Sequence, residues 1–328
     1  MQTKRLTVPA AEEILGLYHP VLDHGFVSLV DYMGSDESIE RAARVSYGHG
    51  TRKQSQTRGL IRYLRRHLHT TPSEMVELKF HVAMPIFVAR QFVRHRTANI
   101  NEYSARYSLM PLLYHRPEAG QFAKQSASNN QGRDDTPAEA AVYREAVERW
   151  DKIREAASDT YGWMLEQDIA RELARIDLPV SLYTQWYWKI DLHNLIHFLT
   201  LRVDSHAQWE IQEYGRVMAG MLKRVAPLSY EAWVDYQVCG DRMSHAELEA
   251  LRELLEADEA GGIRTRPGAA LDSAALAEAG LSRREAAELV GKLQPADKPD
   301  FELDLSRFQP PEYFEARMAE AVPGSDDQ

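Results

Sequence analysis

Residues 91–108 read QFVRHRTANINEYSARYS. Four cationic or potentially cationic side chains, Arg94, His95, Arg96 and Arg106, surround one carboxylate, Glu102, among small polar residues. The apolar residues before and within the start of the stretch, Ile86-Phe87-Val88 and Phe92-Val93, are suited to holding that cluster against a core. Arginine presents a rigid fork of donors that matches phosphate and carboxylate oxygens. Several arginines on one apolar-anchored segment therefore point to a site for a polyanionic small molecule.

Upstream, Leu78, Phe80, Val82 and Met84 alternate with Lys79, His81 and Ala83, the period of a half-buried strand, and Pro85 then starts the helix that delivers residues 90–96. At 69–74 the sequence HTTPSE sets Thr71, Pro72 and Glu74 in a capping-box pattern with proline at the first helical position. That structural job accounts for all three residues; a helix N-terminus also offers N–H groups to an anion, so a ligand-facing role stays open. Further back, a helix with Leu60, Leu64 and Leu68 on one face follows a polar loop at 48–59. Ser35 or Asp36 caps a helix running to about Tyr47, residues 25–32 are β-branched and aromatic like a strand, and residues 1–24 read as an irregular arm.

Downstream, residues 109–135 show little periodicity and end in a polar loop, QSASNNQGRDD. Thr136-Pro137-x-Glu139 repeats the capping-box pattern and opens a long helix with Ala141, Ala146, Trp150, Ile153, Ala157, Tyr161 and Met164 inward. A short helix at 168–176 and an aromatic, alternating strand at 180–190 follow. Asp191 caps a helix with an apolar stripe of Leu192, Leu195, Ile196, Leu199 and Val203. Ser205 or His206 begins a last long helix, with Ile211, Val217, Met218, Met221 and Leu222 inward, that stops near Pro227. Beyond Gly240 come an acidic amphipathic helix, a second helix capped by Ser282-Arg283-Arg284-Glu285, and a segment broken by Pro295, Pro299, Pro310 and Pro311. The expected organisation is a catalytic domain over 1–240 and an acidic, partly ordered C-terminal extension over 241–328.

Charge is unevenly spread. Residues 241–328 hold 20 acidic and 10 basic side chains and so carry the whole net charge of −10. Residues 51–106 hold 11 basic against 3 acidic ones. A neutral body with one basic segment suits a phosphorylated metabolite or cofactor better than a nucleic-acid backbone, which usually recruits a broadly basic face. An RNA-binding module is the alternative use of that segment, and the acidic total opposes it. No apolar run approaches the roughly 18 residues of a membrane span, and MQTKRLTVPAAEE lacks a secretory apolar region. Cys239 is the single cysteine, which excludes an intramolecular disulfide. These features lead us to expect a cytoplasmic protein that engages neither membrane nor nucleic acid.

Other chemistries fare worse. His193 and His197 are spaced i, i+4 on a helix, but HNLIH lacks the glutamate of HExxH, and such a pair is more often a packed polar edge than a metal site. Ser104 and Ser108 lie near His95 without a nucleophile elbow, and Cys239 has no obvious basic neighbour. Neither G-x-G-x-x-G nor a P-loop occurs, so a bound dinucleotide would have to be held by side chains.

Arg94-His95-Arg96, seven residues and then Ser104 resembles the RHR-x7-S signature of flavin-dependent thymidylate synthases. The whole of 91–108 is similar to that family's central block. HTTPSE at 69–74, ARIDLP at 174–179 and NLIHFLTLRVDSHAQWEI at 194–211 are similar to its other blocks, in the same order, so the resemblance covers residues 26–226. It implies an α+β subunit with an antiparallel mixed sheet flanked by long helices, a homotetramer with active sites between subunits, and FAD as cofactor. It further implies reductive methylation of dUMP to dTMP, with 5,10-methylenetetrahydrofolate as carbon donor and NADPH as reductant. By position, Gln91, Arg94, Glu102, Ser104, Arg106, Arg175 and Arg202 would bind dUMP, with Arg202 the catalytic group. Thr71, Arg94, His95, Arg96, Glu102, Asp191, His193 and His197 would contact FAD. Some members carry Asn, Arg and Asn where Asp191, His193 and His197 stand, so this chain lacks a fixed positive charge there. No metal is implied.

Overall fold

The computed structural model describes residues 5–45, 57–127, 131–258 and 260–323. They fall into two units: the described residues of 1–232 together with those of 301–328, and those of 233–300. In chain order the elements are α1 (Pro9–Glu12), β1 (Tyr18–Val21), β2 (Gly25–Met33), α2 (Asp36–Val45), α3 (Thr57–Arg66), α4 (Thr71–Glu74), β3 (Glu77–Pro85), α5 (Ile86–Phe92) and β4 (Asn99–Glu102). Next come β5 (Ala123–Gln125), β6 (Arg133–Pro137), α6 (Ala140–Glu166), α7 (Arg171–Ala174), β7 (Tyr183–Asp191), α8 (Leu192–Arg202), α9 (Trp209–Val225) and α10 (Pro227–Trp233). The chain closes with α11 (His245–Leu254), β8 (Leu255–Ala257), β9 (Ile263–Thr265), α12 (Ser273–Glu278), α13 (Arg283–Lys292) and α14 (Pro311–Glu320).

Alternation along β3 and β7 makes the centre of the first unit. Phe80 lies opposite Trp188 and Val82 opposite Trp186, so large apolar pairs share one face. β1, β2, β3, β7 and β4 form a five-stranded sheet in that order, with antiparallel neighbours throughout. Helices α5, α8 and α9 pack on or beside it. Phe92 of α5 meets Phe198 of α8 with ring centres 4.7 Å apart and Trp188 at 5.4 Å, all three rings being fully buried. Burying each such ring contributes roughly 1.5–3 kcal/mol and fixes where α5 and α8 end. Gly25 is required by close approach: a Cβ there would stand 2.1 Å from the Tyr214 hydroxyl, which donates to the Ala83 carbonyl at 2.8 Å. The α+β expectation is met.

Several local expectations are corrected. Residues 9–21 form α1 and β1 instead of an irregular arm; a short strand containing Pro20 leaves little trace in a hydrophobic period. In α3 the buried residues are Ile61 and Leu64, while Leu68 is 61% exposed at a positive φ of 57° beyond the helix end. Residues 57–59 belong to α3, and the rest of the expected loop, with Tyr47, lies outside the described residues. Thr71 is the first residue of α4, not its cap: Thr70 holds that place, no side chain caps the helix, and the turn closes through Ser73 N–H to the Thr70 carbonyl at 2.9 Å. Thr136 and Pro137 are claimed by β6, which pairs with β5 as a hairpin where a loop was expected. Glu139 then caps α6 without a side-chain bond. Tyr161 is the only described residue of α6 that is buried, and Ile153, expected inward, is 59% exposed. α7 is shorter than 168–176 because Asp168 sits at a φ of 55°. α9 starts at Trp209, after Gln208, and Val203 and Val217 are half-buried.

The boundary expected at residue 240 also moves. Residues 301–323 rejoin the first unit along β1. Gln309 and Tyr18 exchange two backbone hydrogen bonds of 2.9 Å, and Phe314 packs with Tyr18, Phe26 and Ala83. The 233–300 unit has its own small core of Ala250, Leu251, Leu276, Leu281, Ala286 and Leu289. Ser244–Glu247 and Ser282–Glu285 form reciprocal capping boxes on α11 and α13, the second as the sequence indicates.

Candidate active site

β4 is the outermost strand of the sheet and places Glu102 opposite Trp186. Tyr103 N–H continues the pairing to the Gln185 carbonyl at 2.8 Å, after which the chain turns on Ser104. The N–H groups of Tyr107 and Ser108 both reach the Ser104 carbonyl at 3.0 Å, and Arg106 N–H reaches its Oγ at 3.3 Å. Met110 N–H donates to the buried Tyr161 hydroxyl at 3.1 Å, so the single buried side chain of α6 holds the far end of this turn. The result is a cleft of about 320 Å³ lined by Glu102, Ser104 and Arg175 above an apolar floor of Ile86, Met110, Leu178 and Leu182, with Thr184 beside Glu102. A few polar groups over an apolar floor suit a flat heterocycle carrying charge at one end.

A second cluster forms where α5 and α8 end. The Phe92–Phe198 contact brings His95, just past α5, to Arg202 in the last turn of α8. Arg202 Nε donates to His95 Nε2 at 3.0 Å, and His95 rests against Phe198 at 4.8 Å. Burial, then the charges of Arg202 and His197, pull the His95 pKa down to about 4. A neutral imidazole is what this contact needs, since Nε2 must accept. Burial and the neighbouring Arg94 lower the Arg202 pKa in turn. Two cations so close together favour an anion between or beside them.

The depressed His95 pKa sets a pH dependence. The unfolded chain takes up the proton near 6.5, the folded one only near 4. The contribution to stability is therefore complete above 6.5 and is lost as pH falls through about 4. His19, also lowered to about 4, and His24 and His81 act in the same direction. His95→Gln is expected to flatten the fall in urea stability over this window without abolishing it. An unchanged slope would show that His95 does not contribute.

The remaining expected residues are spread around these two clusters. Gln91 donates to Gln208 at 2.7 Å, Arg94 and Arg96 are exposed, and Arg106 pairs with Glu172 at 2.9 Å on the surface. An exposed pair of that kind is worth about 0–1 kcal/mol, so a phosphate can displace it. α4 packs against α8. Asp191 has both oxygens engaged by Asn194, from the backbone at 3.0 Å and the side chain at 2.6 Å, which is the helix-capping role the sequence also gives it. His193 Nδ1 is buried and has no hydrogen-bond partner among the described residues. His197 is exposed, its ring 6.0 Å from His95. Thr71 lines a separate apolar cavity with Leu60, Tyr63, Leu64 and Met75. The orphaned imidazole nitrogen of His193 and the exposed guanidinium groups of Arg94 and Arg96 are donors that fit a phosphate-bearing cofactor such as FAD; Asp191, already engaged and acidic, fits one least. Among the described residues no group of three or more His, Cys, Asp or Glu side chains is placed to hold a metal.

Two contacts escaped the sequence reading. Thr184 donates to Glu102 Oε1 at 2.7 Å, and Gln208 accepts from Gln91. Both join segments far apart in the chain, and no local period marks either.

The first unit thus carries a sheet-edge cleft with a carboxylate, a hydroxyl and an arginine, and an Arg–His pair where α5 and α8 end. The fold matches the crystal structure of a UMP/dUMP methylase PolB from Streptomyces cacaoi bound with 5-Br UMP at a TM-score of 0.61 and 34% identity, over 66% of this chain and 98% of that one. The same protein bound with 5-Br dUMP matches at 0.60. A flavin-dependent thymidylate synthase from Anaplasma marginale (strain St. Maries) is 46% identical over 298 residues, 91% of this chain and 97% of its own. One from Wolbachia pipientis wMel is 50% identical over 256 residues, 78% of this chain and 90% of its own. Residues 28–228 match the family described as thymidylate synthase complementing protein. The chain belongs to that family, the flavin-dependent thymidylate synthases, as the resemblance of residues 26–226 implies.

Proposed function

We propose that the protein converts dUMP to dTMP by reductive methylation, taking the carbon from 5,10-methylenetetrahydrofolate and the electrons from NADPH through bound FAD. The observation that carries this reading is the convergence of one short segment on two clusters: Glu102 and Ser104 enter the cleft with Arg175, while His95 turns to Arg202.

In this reading Arg175 and the displaceable Arg106 take the phosphate, Ser104 adds a hydrogen bond, and Glu102 accepts from the nucleotide. Arg202 stabilises negative charge developing at uracil N3 and its neighbouring carbonyl, a fixed cation aimed at an anion in a partly buried site. His95 holds the Arg202 guanidinium through Nε, leaving the other guanidinium nitrogens for the ring. Thr71, Arg94, His95, Arg96, His193 and His197 would hold FAD, with Asp191 shaping the start of α8. When bound, the flavin supplies the hydride. Cys239 belongs to the 233–300 unit and has no part in the scheme.

A homotetramer with active sites between subunits completes the proposal. Its support is α6, 27 residues long with one buried side chain, and exposed Ile153 and Trp163 along it. Among the described residues no helix is long and apolar enough to cross a membrane, and we place the enzyme in the cytoplasm.

Purified protein is expected to be yellow, to bleach with NADPH without oxygen, and to form dTMP from dUMP when the folate is supplied. Colourless protein that cannot be reconstituted with FAD, or flavoprotein that yields no dTMP, would overturn the reading.

A further inference from the structure

We propose that Thr184 is a positioning residue that fixes Glu102 and thereby sets nucleotide affinity; this rests on the cleft being the dUMP site. Glu102 ends β4, the outermost strand, and all four residues of that strand are exposed. A glutamate on an open edge would sample many rotamers, and ordering it on ligand binding carries an entropic cost. Thr184 is the opposite kind of residue. It sits on β7 opposite Met84 of β3, inside the sheet, and is 4% exposed. Its branched side chain has restricted χ1 freedom.

Register brings the two together. Glu102 is opposite Trp186, and Thr184 lies two residues along the same strand, so the period of two puts them on one side of the sheet. Thr184 Oγ1 donates to Glu102 Oε1 at 2.7 Å, a charge-assisted bond. Both residues line the cleft with Ser104 and Arg175. With Oε1 tethered, Oε2 remains to accept an N–H or O–H of the nucleotide. The carboxylate is thus arranged before the ligand arrives, which lowers the cost of binding.

The test uses the full chain loaded with FAD and dUMP titration calorimetry. Thr184→Val removes the hydroxyl at nearly constant shape and should weaken dUMP binding about tenfold, the scale of one hydrogen bond to a charged group, with FAD content unchanged and the fold retained. Thr184→Ser should restore affinity. In a Glu102→Ala background, which leaves no acceptor for the hydroxyl, Thr184→Val should cost much less, because the two act through one contact. If the valine variant does not fold, Thr184→Ala replaces it in the same cycle. Wild-type affinity in Thr184→Val, beside a clear loss in Glu102→Gln, would overturn the positioning role while leaving the cleft assignment standing. Wild-type affinity in Glu102→Gln would remove the cleft assignment and the proposal with it.

Discussion

Arg202→Ala is expected to lower dTMP formation by about two to three orders of magnitude, the loss usual when one pre-placed group facing a developing anion is removed. The fold should survive. Arg202 closes α8 with its side chain half-buried, and the core beneath it is carried by Leu192, Leu195, Ile196, Phe198 and Leu199. The substitution frees His95 Nε2, which water can then satisfy. Arg202→Lys should recover little, since a lysine ammonium cannot donate to His95 and still present a planar fork to the ring. Turnover measured with circular dichroism and flavin content separates these effects. Near-normal turnover in the alanine variant would refute the role given to this arginine.

Deleting 301–328 is expected to cause the largest loss of stability, and Phe314→Ala alone about 3–5 kcal/mol, the range for removing a buried aromatic side chain. Phe314 is 3% exposed and stacks on Tyr18 at 5.8 Å and tilts against Phe26 at 4.9 Å. Leu303 fills the space over Gly220, where a Cβ would stand 2.5 Å from it. Phe301 N–H donates to the Tyr230 hydroxyl at 3.0 Å, and Arg317 reaches the Asp23 carbonyl and His24 Nδ1. The deletion also strips the Tyr18–Gln309 pair from β1 and leaves an open sheet edge, a site for association with other chains. Urea unfolding and light scattering check both parts. A midpoint shared with the full chain would refute the account.

What could be read from sequence follows physical range. Strands β2, β3 and β7 were legible because both the alternation and the aromatic content are local, and Asp191 and Ser282 because a cap acts over three residues. The β5–β6 hairpin was not, since its segments are polar and its pairing, not its composition, makes it a strand pair. The capping-box pattern misled at Thr71 and Thr136 because a nearby proline is compatible with a helix start, a turn or an edge strand alike. The role of 301–323 stayed hidden among prolines: Phe301, Phe308 and Phe314 have no period, and their partners are β1, β2 and α10. At the site, residue types and spacing named Glu102, Ser104 and Arg175 through a resemblance, and only the folded chain brings them into one cleft. The His95–Arg202 and Thr184–Glu102 contacts span 107 and 82 positions, beyond the reach of any local rule.

The bridge between Tyr18 and Gln309 also fixes a time. Its two halves are separated by about 290 residues, so at a synthesis rate of roughly 5–20 residues per second the β1 edge waits about 15–60 s for its cover. Until then an incomplete chain displays the Tyr18–Phe26 aromatic surface to its surroundings. A chain that stops short of residue 301 therefore keeps both the β1 edge and that aromatic surface uncovered.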